Sequence, residues 1–354
     1  CRKSNPSNNF LPKCGMNNMK FSIALPNAIE GMATPIPFAD HKQLIEIAVL
    51  SEKLGFDAVW GCDHLLTQKY VKETFTTPPN YYEILITLAV LSTYTTKLRL
   101  GTCILVLPIR EPVLLANQLA TLDHFNEGRL TLGIGLGGYR EEFEAIYPQR
   151  GNVHRGTLLE ETVQALNLIF TEREASFSGK YVHFKGVEAY PKPKHRKIPF
   201  YFGGNHIKSI ERTARWGDAW MPAGLTPEEL QKGVKRLEEF SEQYPENKKD
   251  FEIAPQYNLY LAESKKKAVE YFRNSQGYEH IVSLKDSTHK NGDIEETFIE
   301  GNLLGTPQEV IDKIGELKDA GMTHCTSICI DTNTVEELYE QMHYFTEEVM
   351  PAFK

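Results

Sequence analysis

The sequence predicts a TIM barrel, the (β/α)8 member of the α/β class, in which eight parallel strands alternate with eight helices. Three observations lead to this prediction. Eight short apolar runs recur along the chain, an amphipathic segment follows each run, and the runs are apolar nearly throughout. The 354 residues would suffice for two domains, but barrels of this type exceed 200 residues as one domain. We therefore expect a single barrel domain over residues 20–354, with residues 1–19 as an N-terminal tail or cloning remnant.

The first unit shows the pattern in full. FSIAL at 21–25 is too short an apolar run for a helix and therefore predicts a strand. A helix is predicted over Asp40–Leu54, because Asp40 is a favourable N-cap, Gln43 completes a capping box, and Gly55 is a typical stop.

The other seven strand and helix pairs follow in chain order. They are FDAVWG (56–61) and a helix from Tyr82; LRLGTCILV (98–106) and a helix from Pro112; RLTLGIG (129–135) and a helix from Arg155; IPFYFGG (198–204) and Ile207–Arg215; DAWMP (218–222) and Pro227–Glu242; FEIAPQYNLYLAE (251–263) and Lys265–Arg273; HCTSICID (324–331) and Val335–Val349. Pro307–Asp319 predicts an extra helix before the eighth strand, and the polar stretch Asp286–Gly301 predicts an inserted loop, both being insertions in the barrel.

Composition and charge exclude several classes of protein. The formal net charge of −8 argues against nucleic acid as a partner, since such proteins carry clustered Lys and Arg. No apolar run approaches the roughly 20 residues that span a bilayer, so no membrane partner is expected. The first nineteen residues contain no apolar stretch of a secretory signal.

Cysteine and histidine usage favours a reducing compartment and no metal. The six cysteines form no C-x-x-C pair, and the 11 histidines show no H-E-x-x-H spacing. We expect a cytoplasmic protein without a metal site. Cys325 and Cys329, four apart on one strand, are expected to share a face.

In a barrel of this kind the active site lies at the C-terminal ends of the strands. Those ends carry Asn27, Asp63-His64, Cys103-Ile104, Gly135 to Glu142, and Gly203-Gly204-Asn205. No Ser, His and Asp set stands among them, so a hydrolytic triad has little support. A histidine can hold or release a proton near neutral pH, so His64 is a catalytic candidate, with Asp63 expected to hold its tautomer.

Several of these segments resemble one family. WGCDHL, GTCILVLPIREPVLLANQLATLDHFNEGRLTLGIGLGGYREEFEAIY, FSGKYVHF and IPFYFGGNHIKSIERTARWGDAWMP, with Arg155-Gly156, resemble the luciferase-like flavin and deazaflavin (coenzyme F-420) dependent oxidoreductases. The resemblance runs from about Lys20 to the C-terminus. It implies a barrel that holds an isoalloxazine-type ring at the strand C-termini, as coenzyme F-420 or as FMN.

The resemblance also implies roles for individual residues. Cys103-Ile104 is similar to a third-strand bulge where a non-proline cis peptide supports the ring, and Asp63 and His64 match a pair beside it. Gly203, Gly204 and Asn205 match the position of the cofactor phosphate, where a helix N-terminus offers backbone N–H groups. The cofactor-binding candidates are therefore Asn27, Asp63, Cys103, Ile104, Gly135, Gly137, Gly203, Gly204 and Asn205.

The sequence departs from the deazaflavin dehydrogenases of the family at two positions. Gln68 stands where they carry a Trp, and Gly138 where they carry a Glu, which puts alcohol or sugar-phosphate dehydrogenation by that residue set in doubt. Glu141 and Glu142 lie nearby, but with Arg140 they are more consistent with a solvated helical turn.

Three functions remain open from the sequence. The first is hydride transfer between coenzyme F-420 and a small organic substrate, with His64 moving the proton; the others are an FMN-dependent monooxygenase served by a partner reductase, and a non-catalytic cofactor-binding protein. Coenzyme F-420 is favoured because GTCILVLPIREP, LATLDHFNEGRL and GGYREEFEAIY resemble most the deazaflavin-dependent subgroup of the family. Its polyanionic tail would need basic residues at the barrel mouth, which Arg140, Arg150, Arg155 and the Lys192–Lys197 cluster are expected to supply. A homodimer is expected through an apolar helix face formed by Tyr81, Tyr82, Ile84, Leu85 and Leu88.

Overall fold

The structure is a computed structural model that describes residues 18–283 and 294–354. Its strands are β1 (Lys20–Leu25), β2 (Ala58–Gly61), β3 (Arg99–Val106), β4 (Leu130–Gly135), β5 (Ala175–Ser178), β6 (His183–Val187), β7 (Phe200–Gly203), β8 (Ala219–Met221), β9 (Glu252–Ile253), β10 (Gln256–Leu261), β11 (Leu303–Gly305) and β12 (His324–Ile330).

The helices alternate with these strands. They are α1 (His41–Leu54), α2 (Lys69–Thr74), α3 (Ile84–Tyr94), α4 (Pro112–Phe125), α5 (Arg140–Ile146), α6 (Arg155–Thr171), α7 (Ile207–Trp216), α8 (Pro227–Ser241), α9 (Lys265–Arg273), α10 (Gln276–Ser283), α11 (Ile294–Gly301), α12 (Pro307–Asp319) and α13 (Val335–Glu348). Within the described ranges no helix is both long and apolar enough to cross a membrane.

The main sheet is parallel and closes on itself. Its strand order is β11-β10-β12-β1-β2-β3-β4-β7-β8-β9, and every pairing in it is parallel. The two ends of this order meet because β9 and β10 are successive parts of one chain run, with Gly224 N donating to the Gln256 carbonyl at 3.0 Å. Counting β9 and β10 as one strand, and leaving out the short strand β11 that pairs with β10 at the end of the order, gives eight barrel strands, so the predicted fold is confirmed.

Local sequence chemistry explains where the helices begin and end. Asp40 accepts hydrogen bonds from the N–H groups of Lys42 and Gln43, and Gly55 ends α1 with φ of +85°, which only glycine adopts without strain. Thr226 and Thr306 form capping boxes at the starts of α8 and α12, including the predicted extra helix.

The structure differs from the sequence-based prediction at several elements. The seventh predicted strand, 251–263, is interrupted at Ala254-Pro255, because a proline has no N–H for the sheet. The antiparallel hairpin β5–β6, helices α2 and α10, and strand β11 were not predicted. Of the expected loop Asp286–Gly301, residues 286–293 lie outside the described residues and 294–301 form α11 instead.

The two cysteines of β12 do not share a face. Ser327, between them, has φ of +48°, and the pairing register of β12 shifts there against both β1 and β10. Cys325 therefore packs among the buried residues between sheet and helices, whereas Cys329 packs with Ile29, Met32 and Val71. β12 therefore contains one extra residue at Ser327, which interrupts the alternation of side chains between the two faces of the strand on which the prediction depended.

The largest apolar cluster lies between the strands and the surrounding helices. It contains Ile84, Leu85 and Leu88 of α3, so the helix face expected to form a dimer interface instead packs on the barrel. The large apolar residues that remain exposed on α3 and α4 are Ile86, Val90, Tyr94, Leu114 and Phe125.

A network of charged and polar groups fills the N-terminal end of the barrel. Asp57 pairs with Arg99, and Glu252 accepts from Lys20 and Tyr201. His324 is fully buried, with Nε2 2.5 Å from the Ser22 hydroxyl. Burial by itself raises the pKa of Glu252, but hydrogen bonds from His324, Lys20 and Tyr201 hold it well below its ordinary value.

The lysine cluster 192–197 also lies toward this end, because it precedes β7. Lys192 is buried and donates to the carbonyls of Ile169 and Glu172 at the end of α6, both at 2.5 Å. Lys194 pairs with Glu127, and Lys197 with Asp218. The expectation that this cluster supplies charge at the barrel mouth is therefore wrong.

Candidate active site at the barrel mouth

The end of β3 forms a platform at the C-terminal mouth of the barrel. The Cys103–Ile104 peptide is cis, and the pairing of β3 with β4 shifts register between Thr102 and Leu105, as predicted for a bulge. Ile104 is only half-buried. Gly135 and Gly203 lie against the Ile104 side chain. A Cβ atom would come within 2.1 Å of that side chain at Gly135 and within 2.7 Å at Gly203, so neither position has room for a larger residue. These glycines let the Ile104 side chain occupy the mouth.

His64 follows β2, next to this platform, and its partners differ from those expected. Its Nδ1 lies 3.3 Å from Glu142 Oε2 and 3.0 Å from Gln68 Nε2. Tyr81 donates its hydroxyl proton to Gln68 Oε1 at 2.8 Å. A neutral ring can accept from Gln68 at Nδ1, and a protonated ring can donate from Nδ1 to Glu142. Nδ1 thus has a partner whether or not it carries a proton, which leaves Nε2 as the ring atom for proton exchange with a substrate.

Glu142 supports the loop after β2 as well as the histidine. Its Oε1 accepts from the N–H groups of Leu65 and Leu66 at 2.6 and 3.2 Å, and only 6% of the residue is exposed. Burial raises the pKa of Glu142, but the hydrogen bonds from His64 and from these N–H groups lower it overall. The predicted helical turn at Arg140 is present as α5, but Glu142 is buried rather than solvated.

Asp63 forms a buried ion pair and does not hold the tautomer of His64. Its carboxylate accepts from Arg110 at 2.5 and 3.1 Å and from the N–H of Val106 at 2.9 Å. Arg110 also donates to Glu83, the N-cap of α3, at 2.9 Å. The role expected for Asp63 beside His64 therefore falls to Glu142, and Asp63 ties β2, β3 and α3 together.

The other predicted cofactor residues lie at the mouth, but several use their side chains within the chain. Asn27 donates to the carbonyls of Cys62 and Tyr82 and accepts from the N–H of Cys62, each at 2.9 Å. Asn205 likewise donates to the carbonyl of Ala223 and accepts from the N–H of Ala223, both at 2.8 Å. The N–H of Gly204 donates to Met221 O at 3.0 Å. These residues fix the loops that surround the site.

A groove of about 550 Å³ opens between the N-terminal parts of α6 and α7. Both helices have histidine N-caps at its wall: His154 accepts from the N–H of Thr157, and His206 from that of Lys208. Two helix N-termini directed at one groove favour an anion. The groove is also lined by Lys208, Arg212 and Arg215, and by the carboxylates Glu160 and Glu211. The sequence had indicated only Gly203-Gly204-Asn205 for this region.

Aromatic rings surround His64 on its open side. Tyr81 and Tyr139 have ring centroids 6.1 and 5.8 Å from the imidazole. The ring of Tyr70 contacts that of Tyr139. The Tyr70 hydroxyl forms a 2.8 Å hydrogen bond with Nδ1 of His280 on α10. Burial, with a smaller effect of His64, lowers the pKa of His280 to about 4. These rings were not anticipated, since tyrosines on loops and short helices give no periodic signal.

The thiols at the mouth are unreactive. Cys62 donates to the carbonyl of Cys103 at 3.4 Å, and Cys103 to Gln256 Oε1 at 3.2 Å. Burial raises the pKa of the Cys103 thiol to about 11 and that of Cys62 further. A thiol that stays protonated is a poor nucleophile.

The sequence model of the luciferase-like monooxygenases matches residues 19–324, across the platform, His64 and the groove. The chain belongs to the luciferase-like monooxygenase family. The resemblance inferred from the sequence is therefore confirmed.

Individual relatives of this family give a range of chemistry. An uncharacterized protein of Mycobacterium tuberculosis is 32% identical over 139 residues, 38% of this chain, and the match spans about half (48%) of that relative's length. The oxygenase component of a flavin-dependent trigonelline monooxygenase from Acinetobacter baylyi is 25% identical over 88% of this chain and 90% of its own. An F-420-dependent secondary alcohol dehydrogenase has a similar fold, with a TM-score of 0.74 at 20% identity over 96% and 100% of the two chains.

Proposed function

We propose that this luciferase-like enzyme transfers a hydride to or from a small organic substrate at the barrel mouth, with coenzyme F-420 as the favoured cofactor. The observation that carries the proposal is the environment of His64. Its Nδ1 has a partner whether or not it carries a proton, Glu142 or Gln68, so the ring is held in place while Nε2 exchanges a proton with the substrate.

The residues at the mouth fit a flavin-type cofactor. Ile104, with Gly135 and Gly203 beside it, offers a flat apolar support for a ring, and side chains on either glycine would remove that space. The helix N-termini and cations of the α6–α7 groove suit the phosphate of the cofactor. When bound, such a cofactor supplies the centre that accepts or donates the hydride.

The protein's own groups perform the remaining tasks. His64 holds the proton that the substrate gains or loses, and Glu142 stabilises the charged imidazole. Gln68 and Tyr81 keep the ring oriented, and Tyr139 packs against it so that less water reaches the site. Gln68, which stands where related dehydrogenases carry a Trp, is thus part of the network around the histidine.

The second candidate is an FMN-dependent monooxygenase that receives reduced flavin from a partner reductase. The charge distribution favours it, because the lysine cluster lies away from the mouth and two groove cations are paired, Lys208 with Glu211 and Arg212 with Glu160. What remains suits one phosphate better than a polyanionic tail. The trigonelline monooxygenase relative is itself named an oxygenase component.

A parallel titration of the purified chain with FMN and coenzyme F-420, followed by fluorescence, tests the proposal. If coenzyme F-420 is the cofactor, it should bind at least tenfold more tightly than FMN, a difference of about 1.4 kcal/mol. Tighter FMN binding together with oxygen consumption in the presence of reduced FMN would support the monooxygenase. Cofactor binding without electron transfer to any acceptor would support the third reading, a non-catalytic protein, and binding of neither cofactor would refute all three.

We further infer a homodimer that uses exposed apolar residues of α3 and α4. Ile86, Val90 and Tyr94 recur every four residues along one side of α3, and Leu114 and Phe125 lie on the neighbouring α4. Such a patch on a protein surface is typical of an interface. Analytical ultracentrifugation should report a dimer for the chain and a monomer for Val90→Glu with Phe125→Glu.

We place the enzyme in a reducing compartment such as the cytoplasm. Four cysteines of the described ranges, Cys62, Cys103, Cys325 and Cys329, are free thiols. Detection of the folded chain in a cytosolic rather than a membrane or secreted fraction tests this location.

A further inference from the structure

The end of β12 carries a carboxyl group with one oxygen that the described part of the chain does not use. Asp331 is completely buried and follows the last residue of β12, at the same end of the barrel as His64. Its Oδ1 accepts a hydrogen bond from Asn258 Nδ2 at 2.8 Å. Its Oδ2 has no hydrogen-bond partner among residues 18–283 and 294–354, and neither has the buried hydroxyl of Thr332.

This arrangement has no structural benefit that the fold shows. A buried polar atom without a partner costs about 1–3 kcal/mol of stability. By contrast, Asp63, which follows β2 at the same end of the barrel, accepts hydrogen bonds at both carboxylate oxygens, from Arg110 and from the N–H of Val106. An unpaired oxygen at the ligand-binding end of a barrel indicates a partner that arrives with a ligand.

The hydrogen bond from Asn258 also determines which oxygen of Asp331 carries a proton. Because Oδ1 accepts from Asn258, a proton on the carboxyl group lies on Oδ2. Burial raises the pKa of Asp331 to about 7, against the lowering effect of Asn258. At neutral pH and below, Oδ2 is therefore a hydrogen-bond donor.

Within residues 18–283 and 294–354, no oppositely charged group acts on the carboxyl group of Asp331. The groups packed against it are Asn258 from β10, Cys329 from β12 and Gly277 from α10, where a Cβ would lie 2.8 Å from Oδ1. Cys329 is the titratable one, and burial, together with Asp331, keeps its pKa well above the ordinary value. His280, also on α10, bonds to Tyr70 instead. The protonated Oδ2 of Asp331 is a neutral donor in an uncharged environment, so an uncharged acceptor on the ligand suits it best.

We propose that Asp331 is a ligand-binding residue whose Oδ2–H donates a hydrogen bond to a carbonyl oxygen of a molecule held at the barrel mouth. The proposal rests on the proposed function, which makes this mouth the ligand site. Carbonyl oxygens occur both in flavin-type rings and in reducible substrates, so the test has one arm for each source.

The first arm compares the wild-type chain with Asp331→Asn and Asp331→Leu in titrations with FMN and coenzyme F-420 at pH 6 and pH 8. Asparagine retains the bond with Asn258 and donates an N–H at every pH, whereas leucine donates nothing. If the cofactor supplies the carbonyl, leucine should weaken binding about tenfold at pH 6, the value of one buried hydrogen bond. The wild type should weaken from pH 6 to pH 8, and the asparagine variant should not.

The second arm uses acetone and decanal as carbonyl probes of the substrate site. If the substrate supplies the carbonyl, all three proteins bind the cofactors alike, and leucine alone weakens binding of the probes. Infrared difference spectra supply a direct signature. The C=O stretch of a protonated carboxyl should shift when the ligand is added to the wild type, and both variants should lack this band.

The proposal is overturned if Asp331→Leu, with a wild-type circular dichroism spectrum, binds both cofactors and both probes within twofold of the wild type and no carboxyl band shifts. Failure of the proposed function gives a different result, because the wild type itself would then bind neither cofactor. In that case the infrared measurement with acetone and decanal still decides the role of Asp331.

Discussion

The two ends of the barrel treat charged groups in opposite ways. At the N-terminal end Asp57, Arg99, Tyr201, Glu252 and His324 bond to one another, and the pKa of Glu252 is lowered. At the C-terminal end Asp331 keeps one oxygen unpaired, and its pKa is raised. The first end stabilises the closed sheet, whereas the second leaves hydrogen-bonding capacity for a ligand at the expense of stability.

The largest expected effect lies at the mouth. His64→Ala should lower turnover about 100- to 10,000-fold, the usual contribution of a general acid or base. Cofactor affinity should stay unchanged, whereas the melting temperature should fall by a few degrees, because buried Glu142 loses a hydrogen-bond partner and Tyr139 loses a packing contact. His343→Ala, at an exposed position of α13, is the matched control. Turnover of His64→Ala within threefold of the wild type would remove the histidine from the mechanism.

At the opposite end, Arg99→Met should destabilise the fold by about 3 kcal/mol without changing turnover per folded molecule, since it leaves Asp57 half-buried and unpaired. Urea unfolding followed by circular dichroism measures the effect. Arg173→Met breaks an exposed pair with Glu188 and should cost no more than about 0.5 kcal/mol. Equal losses in the two variants would mean that the network has no special part in closing the barrel.

Asp331→Asn should instead stabilise the cofactor-free protein at pH 8 by about 2 kcal/mol. Ionising a carboxyl group with this raised pKa costs roughly 4 kcal/mol, and a buried amide N–H without a partner takes back about 2 kcal/mol. A carboxyl group whose pKa is raised in the folded state stabilises the fold only while it is protonated. The wild type therefore loses stability as the pH rises from the ordinary value of about 3.8 to about 7. The gain in unfolding free energy from asparagine, measured by urea unfolding, should be smaller at pH 5.5 than at pH 8. Asp312→Asn, at an exposed position of α12, is the control and should show no such trend.

The smallest effect is expected for Glu142→Gln. Without the carboxylate, protonated His64 loses its charged partner, so kcat should fall about threefold. Steady-state kinetics measure this loss, and Glu141→Gln, which changes only the contact with the N–H of Lys69, is the control. An unchanged kcat would leave Glu142 with a structural role alone.

Sequence reasoning predicted the elements that local chemistry determines. Capping residues such as Asp40 and Thr306 and continuous apolar runs specify helix starts and buried strands without reference to the rest of the chain. It also placed Cys103-Ile104 and His64 at the mouth. Which carboxylate meets His64 was not predictable, because Glu142 lies 78 residues away and reaches it only through the position of α5.

The errors have a common physical origin. Asp63 is adjacent to His64 in sequence, yet consecutive residues at a strand end point in different directions, and Asp63 meets Arg110. The lysines at 192–197 were placed by composition, whereas their position before β7 puts them at the other end of the barrel. Asp331 gave no signal in the sequence, since an unpaired oxygen becomes visible only when all neighbours are known.

The pairing of β1 with β12 also governs how the chain must fold as it is made. Lys20 pairs with His324, so the first strand waits for a partner synthesised about 300 residues later. Contacts between such distant segments form slowly, and until then β1 presents an open apolar edge. A nascent or truncated chain that lacks β12 should therefore depend on chaperones and aggregate without them, even when every other strand is present.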